Sequence, residues 1–138
     1  DYEECTREHT YWGLFTSAGH VYTPKKRYYA ARQLFRFVKP GSQRISATTT
    51  AEGLTVSAFR DGGEGTVTVV GVKAGGPNRV RLSVPPSPGA PVRWELYLTT
   101  RELNCRKTET LDASAGVVEF DLPEEAVFTL VGKGSITP

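Results

Sequence analysis

The sequence is short of nearly everything that announces a reactive centre. Its 138 residues hold two cysteines and two histidines. Cys5 and Cys105 stand too far apart for a CxxC redox or zinc motif. His9 and His20 are isolated, without ligand spacing around them, and read as ordinary loop residues. No metal site and no cofactor is therefore expected. There is no GxSxG elbow and no cysteine in a nucleophile motif. The glycine-rich pieces DGGEG and KAGGPN lack phosphate-loop spacing and read as hairpin turns, where glycine takes positive φ at little cost. No apolar run approaches the ~20 residues of a membrane span. Lys and Arg number 17 against 15 Asp and Glu, a net +2, and the basic residues are scattered, which is no nucleic-acid footprint. Carboxylates are present but poorly arranged for catalysis. Glu3-Glu4 and Glu124-Glu125 are adjacent pairs in polar segments, and neighbours on a strand do not share a face. Glu95 and Glu119 read as solvated outer-face residues. No catalytic residue is expected within the chain.

What is present is one β-then-α unit followed by a long alternating region. Tyr11-Trp12-Gly13-Leu14-Phe15 reads as a short apolar strand, and Thr16 to Tyr22 as a loop. Thr23 is placed to cap a helix and Pro24 to occupy its first position. Tyr28, Ala31, Leu34, Phe35 and Val38 fall on one helical face. Lys39 suits the negative end of the helix dipole, and Pro40-Gly41 stops the helix. The basic helix resembles a membrane-surface helix in composition. An outer helix with one solvated face accounts for it better.

From Ile45 onward the pattern switches to period two, bounded by Gly and Pro clusters. Strands are expected at 45–49, 54–59, 65–72, 79–84, 92–99, 117–120 and 127–131, while Thr100 to Thr110 is polar and hard to assign. In 79–84, Val80, Leu82 and Val84 oppose Arg79, Arg81 and Ser83; in 92–99, Val92, Trp94, Leu96 and Leu98 oppose Arg93, Glu95, Tyr97 and Thr99. About seven or eight short strands of this kind predict a mainly β protein, an antiparallel sandwich, because two packed sheets bury both inner faces. At this length folding buries roughly two-thirds of the unfolded surface, enough for a core.

The residues Tyr11-Trp12, Lys26, Tyr28-Tyr29-Ala30, Gln33, Phe35, Arg36-Phe37, Pro40-Gly41 and Arg44-Ile45 resemble the last strand and helix of the catalytic barrel in retaining glycoside hydrolases of the family 30 type. The segment FDLPEEAVFTLVG resembles that family's closing strand, with Ala126 where serine is common. The resemblance spans nearly the whole chain. It implies residues 1–41 as the terminal βα unit of a (β/α)₈ barrel and 42–138 as a β-sandwich side domain. It also implies that both catalytic carboxylates, at the ends of barrel strands four and seven, precede Asp1. No signal peptide opens the chain, and a start in mid-motif suggests a processed piece or fragment.

On that basis the expected role is a non-catalytic C-terminal part of a glycoside hydrolase that supports the barrel and meets carbohydrate only through the parent enzyme. Tyr11 and Trp12 are candidate substrate-lining residues, since active sites lie at the C-terminal ends of barrel strands and an indole face stacks on a pyranose ring. Packing of Trp12 inside the barrel accounts for it equally well. Tyr28, Leu34, Phe35 and Val38 are candidate inter-domain packing residues. Cys5 and Cys105 either form one long-loop disulfide, worth about 4–5 kcal/mol in the chain-entropy model, or stay as two thiols. A secreted or periplasmic hydrolase favours the bridge. Two alternatives stand beside this one. A stand-alone carbohydrate-binding module would display exposed aromatics, of which Tyr97 is the clear outward candidate. A non-enzymatic interaction domain would self-associate through an unpaired strand edge.

Overall fold

A computed structural model of the chain describes residues 13–63, 65–76, 78–85 and 88–134. The order is β1 (Phe15–Ala18), β2 (Val21–Pro24), α1 (Lys26–Phe35), β3 (Gln43–Ile45), β4 (Leu54–Arg60), β5 (Val67–Ala74), β6 (Arg79–Ser83), β7 (Pro91–Thr99), β8 (Arg106–Asp112), β9 (Val117–Asp121) and β10 (Glu125–Gly134). Every described strand pairing is antiparallel. One six-stranded sheet runs β3-β4-β5-β10-β7-β8, and β6-β9 form a second, two-stranded sheet. The sandwich expected from the alternating pattern is present.

The inner face of the large sheet carries the residues that the period-two pattern assigns to it, except Val92, which is 56% exposed where a register shift opens the β7–β10 ladder. Trp94, Leu96 and Leu98 of β7, Phe128 and Leu130 of β10, and Val67 and Val69 of β5 are buried. The small sheet closes over them with Val80, Val118 and Phe120, and Phe120 meets Phe128 ring to ring at 5.9 Å. Two glycines make room for the rings. A Cβ on Gly71 would sit inside the Phe128 ring, and one on Gly132 would lie 2.8 Å from the Trp94 indole. Strands this close to an aromatic face cannot carry a side chain there.

The start of the chain differs from expectation. The Thr16 to Tyr22 stretch is a hairpin, β1 paired to β2 with Thr16 opposite Thr23 and Ala18 opposite Val21. Gly19 takes φ +60° at its turn, as a two-residue hairpin loop requires. Pairing keeps Thr23 extended, so it does not cap the helix, and Pro24 ends β2 instead of opening α1. Lys25 occupies the N-cap position without a side-chain cap bond, and its N–H donates to Leu14 O at 2.9 Å, tying hairpin to helix. Of the strand expected at Tyr11–Phe15, Tyr11 and Trp12 lie outside the described residues, Gly13 and Leu14 are not in a strand, and Phe15 opens β1. Two further boundaries moved. Residues 46–49, expected as strand, carry no ladder, and the unassigned polar stretch contains β8.

Candidate functional site: a helix with one face locked and one face open

Helix α1 lies on the outer face of the large sheet, the face opposite the sandwich core. The residue that seats it is Gln33, fully buried in a position where an apolar side chain would be the default. Its Nε2 donates to Thr99 Oγ1 at 2.9 Å and to the Val127 carbonyl at 3.3 Å. Thr129 Oγ1, also fully buried, shares its proton between Gln33 Oε1 and Gln33 O, each at 2.8 Å. Thr99 Oγ1 in turn donates to Tyr29 O at 3.1 Å and accepts the Cys105 N–H at 3.0 Å. A buried amide needs partners for both ends, and here both ends have them. At the helix start Lys26 Nζ donates to Leu103 O at 3.3 Å and to Asn104 Oδ1. Past its end, Phe37 O accepts from Thr68 Oγ1 at 3.5 Å.

Lys26, Tyr29, Gln33 and Phe37 recur at helical spacing, so the sheet-facing side of α1 is held by hydrogen bonds rather than by an apolar seam. Phe35 lies roughly 200° round the helix from Gln33, and it is 64% exposed; Leu34 is 39% exposed. On the hairpin beside them Leu14 and Phe15 are exposed, with Val21 at 66% and Tyr22 at 69%. Tyr28, half-buried, bridges the two pieces, its ring 4.9 Å from Phe15 and 5.2 Å from Tyr29. Val38 is half-buried and closes the last turn by donating its N–H to Leu34 O. Of the four packing candidates, then, Leu34 and Phe35 point away from the sheet. The residues that do bind the sheet, Gln33 above all, are not marked for that role in the sequence, because a glutamine in a basic helix carries no burial signal.

The other candidates resolve as follows. Tyr11, Trp12 and Cys5 lie outside the described residues. Cys105 is buried at the start of β8 with φ +49°. Tyr97 faces outward, but its ring is already covered: Phe37 packs on it at 4.4 Å and the Arg36 guanidinium sits 5.3 Å above it. Its hydroxyl donates to Glu95 Oε2 at 3.2 Å. Partial burial, with Glu95 nearby, pushes the Tyr97 phenol up. Glu95 is held by Lys107 at 2.6 Å, whose hydrogen bond keeps the carboxyl below its usual range. Glu119 and Asp121 both engage Arg79. Trp94 is core. Among the described residues no three His, Cys, Asp or Glu side chains gather as a metal group, and no helix is long and apolar enough to cross a membrane.

No protein-family model matches the sequence. Solved structures do share the fold. A glycoside hydrolase family 30 subfamily 8 xylanase from Clostridium acetobutylicum, Xyn30A, matches 88% of this chain at 24% identity and TM-score 0.74. A GH30 endoxylanase from Clostridium papyrosolvens C71 matches 81% at 23% identity and TM-score 0.70. The catalytic domain of GH30 xylanase C from Talaromyces cellulolyticus matches 87% at 22% identity and TM-score 0.70. The chain spans 31%, 28% and 27% of those three chains, so what it shares with family 30 xylanases is the fold of less than a third of each.

Proposed function

We infer that this chain is the C-terminal, non-catalytic part of a secreted retaining glycoside hydrolase: residues 1–41 complete a (β/α)₈ barrel, and 42–138 form the side domain that holds that unit in place. The observation that carries this is the two-faced helix. A surface helix ordinarily turns its apolar stripe to its own core. Here the sheet takes the polar side, and Leu34, Phe35 and the apolar hairpin beside them are left for something else to cover. The likeness to part of three xylanases supports a barrel as that cover. Tyr28 and Val38, at the margin of the patch, complete the contact. Substrate would reach this chain only at Tyr11 and Trp12, at the mouth of the barrel, and hydrolysis would need the two carboxylates, about 5–5.5 Å apart in a retaining site, that the barrel brings.

The test is Phe35→Ala in two settings. In the longer polypeptide the ring is buried, and its loss costs about 3–5 kcal/mol in chemical denaturation. In the 138-residue chain alone the same change stays within about 0.5 kcal/mol, as surface substitutions do. Equal, small effects in both settings sink the proposal. The reading as a free carbohydrate-binding module gains nothing from the structure, since Tyr97 is covered by Phe37 and Arg36.

A further inference from the structure

The inner face of β4 breaks its own pattern at its last residue. Leu54, Val56 and Ala58 pack in the core at every second position, and the next in that series is Arg60. Arg60 lies opposite Gln43 of β3 on one side and Val67 of β5 on the other. Its guanidinium makes no ion pair among the described residues, and the adjacent acid, Asp61, turns to Lys39 at 3.5 Å. A cation where the strand's own period calls for an apolar side chain is the kind of local conflict that accompanies functional sites.

Arg60 is exposed and lines a cleft of about 370 Å³. The floor of the cleft is core: Ile45 and Val84 pack against the apolar cluster, and Val67 belongs to it. The far wall is the loop from β6 to β7, where Pro85 and the buried Pro91 line the same space. That wall is anchored at both ends. Val84 N–H donates to Gly116 O at 2.7 Å, and the Gly89 carbonyl lies so close to the end of β10 that a Cβ on Gly134 would be 2.6 Å from it. Proline's locked φ stiffens the loop further, so the cleft is formed before anything enters it.

We propose that this cleft binds a small monocarboxylate with a flat, apolar body. The ring enters against Val67, Val84 and the proline wall, and the carboxylate pairs with the Arg60 guanidinium. A guanidinium is a planar fork that matches a carboxylate through two parallel hydrogen bonds. One uncompensated cation balances a single negative charge, which favours a carboxylate over a phosphate monoester with nearly two. Flat rings pack well on proline faces, the contact by which aromatic-lined grooves take proline-rich segments. The cavity is near the small end of the ~300–1,000 Å³ range of ligand pockets, which suits one ring and a short chain. The site is independent of the helix face, and its failure would leave the reading of that face untouched.

The probe is hydrocinnamate, titrated into the isotope-labelled 138-residue chain near neutral pH and followed by NMR, with hydrocinnamyl alcohol as its uncharged counterpart. Amide shifts at Val67, Val84 and Ala90 should saturate together, and the acid should bind about tenfold or more tightly than the alcohol. Arg60→Gln should erase that preference and bring the acid to the alcohol's affinity. Because Arg60 is exposed and unpaired, this variant keeps its melting temperature. Ala90→Phe supplies the second arm: it fills the cleft from the loop, and both probes should weaken by about tenfold or more with Arg60 still in place. In the longer polypeptide the acid should again outrank the alcohol. Equal affinity for acid and alcohol overturns the proposal, as does an acid preference that survives Arg60→Gln. So does the absence of saturation at millimolar concentrations. Shifts centred on Leu34, Phe35 and the hairpin overturn it as well, since the probe would then have found only the open apolar patch. Loss of binding in the longer polypeptide does the same, because another part of that polypeptide would then fill the cleft.

Discussion

The two faces of the large sheet are built on different physics. Its inner face is apolar at its centre, with Trp94, Leu96, Phe128 and Leu130 in the core cluster shared with a second sheet. Its outer face, under the helix, buries Thr99, Thr129 and Gln33. Apolar burial is strong but non-directional, at roughly 25 cal/mol per Å². A hydrogen bond contributes only about 0.5–1.5 kcal/mol net, yet it fixes distance and angle. The inner face therefore holds the domain together, and the outer face sets where the helix stands. A fold that holds one helix in a fixed pose gains more from the second kind of contact than from the first.

That contrast can be broken in order of size. Phe128→Ala removes a ring that is 1% exposed and stacked over Gly71. It should cost about 3–5 kcal/mol and lower the melting temperature of the whole chain. A loss below about 1 kcal/mol would mean that the inner face is not the main support. Gln33→Leu keeps the volume but removes the buried amide's bonds to Thr99 Oγ1, Val127 O and Thr129 Oγ1. It should cost about 1–3 kcal/mol. Its mark should be local: faster amide exchange in α1, with β7 and β10 protected as before. Uniform destabilisation would show that helix and sheet are one cooperative unit and erase the distinction.

The smallest effect is electrostatic. The Lys107 hydrogen bond lowers the Glu95 carboxyl below its ordinary value of 4.5. The folded state therefore binds that proton less readily than the unfolded chain. The stability Glu95 contributes is complete above about pH 4.5 and is lost as pH falls from there through the folded value. Glu95→Gln should flatten the acid limb of the stability curve by about 1 kcal/mol or less. An unchanged acid limb would show that the pair contributes nothing.

How much of this could be read from the residues follows the same divide. The sandwich was legible because β5, β7 and β10 bury alternate apolar side chains, and period two is hard to mistake. β8 was not, because RKTETLD is an edge strand with six of its seven residues exposed and only Leu111 partly buried. In the sequence the hairpin reads as a loop and Thr23 as a cap, since a threonine before a proline serves either structure and only pairing with Thr16 decides it. The burial of Gln33 leaves no mark in the local pattern. Its partners Val127 and Thr129 lie some 94 and 96 residues on, and no local pattern records a contact that distant.

The position of β10 has a consequence for how the domain is made. It follows every other described strand in sequence, yet it sits third from one edge of the large sheet, bonded to β5 on one side and β7 on the other. During synthesis β3-β4-β5 and β7-β8 must emerge as two separate ribbons with no common neighbour, waiting for a centrepiece not yet translated. At about 5–20 residues per second that wait is brief, but a ribosome stalled before Glu125 would hold two half-sheets with bare apolar flanks, the state from which chaperone capture or aggregation of a nascent chain begins.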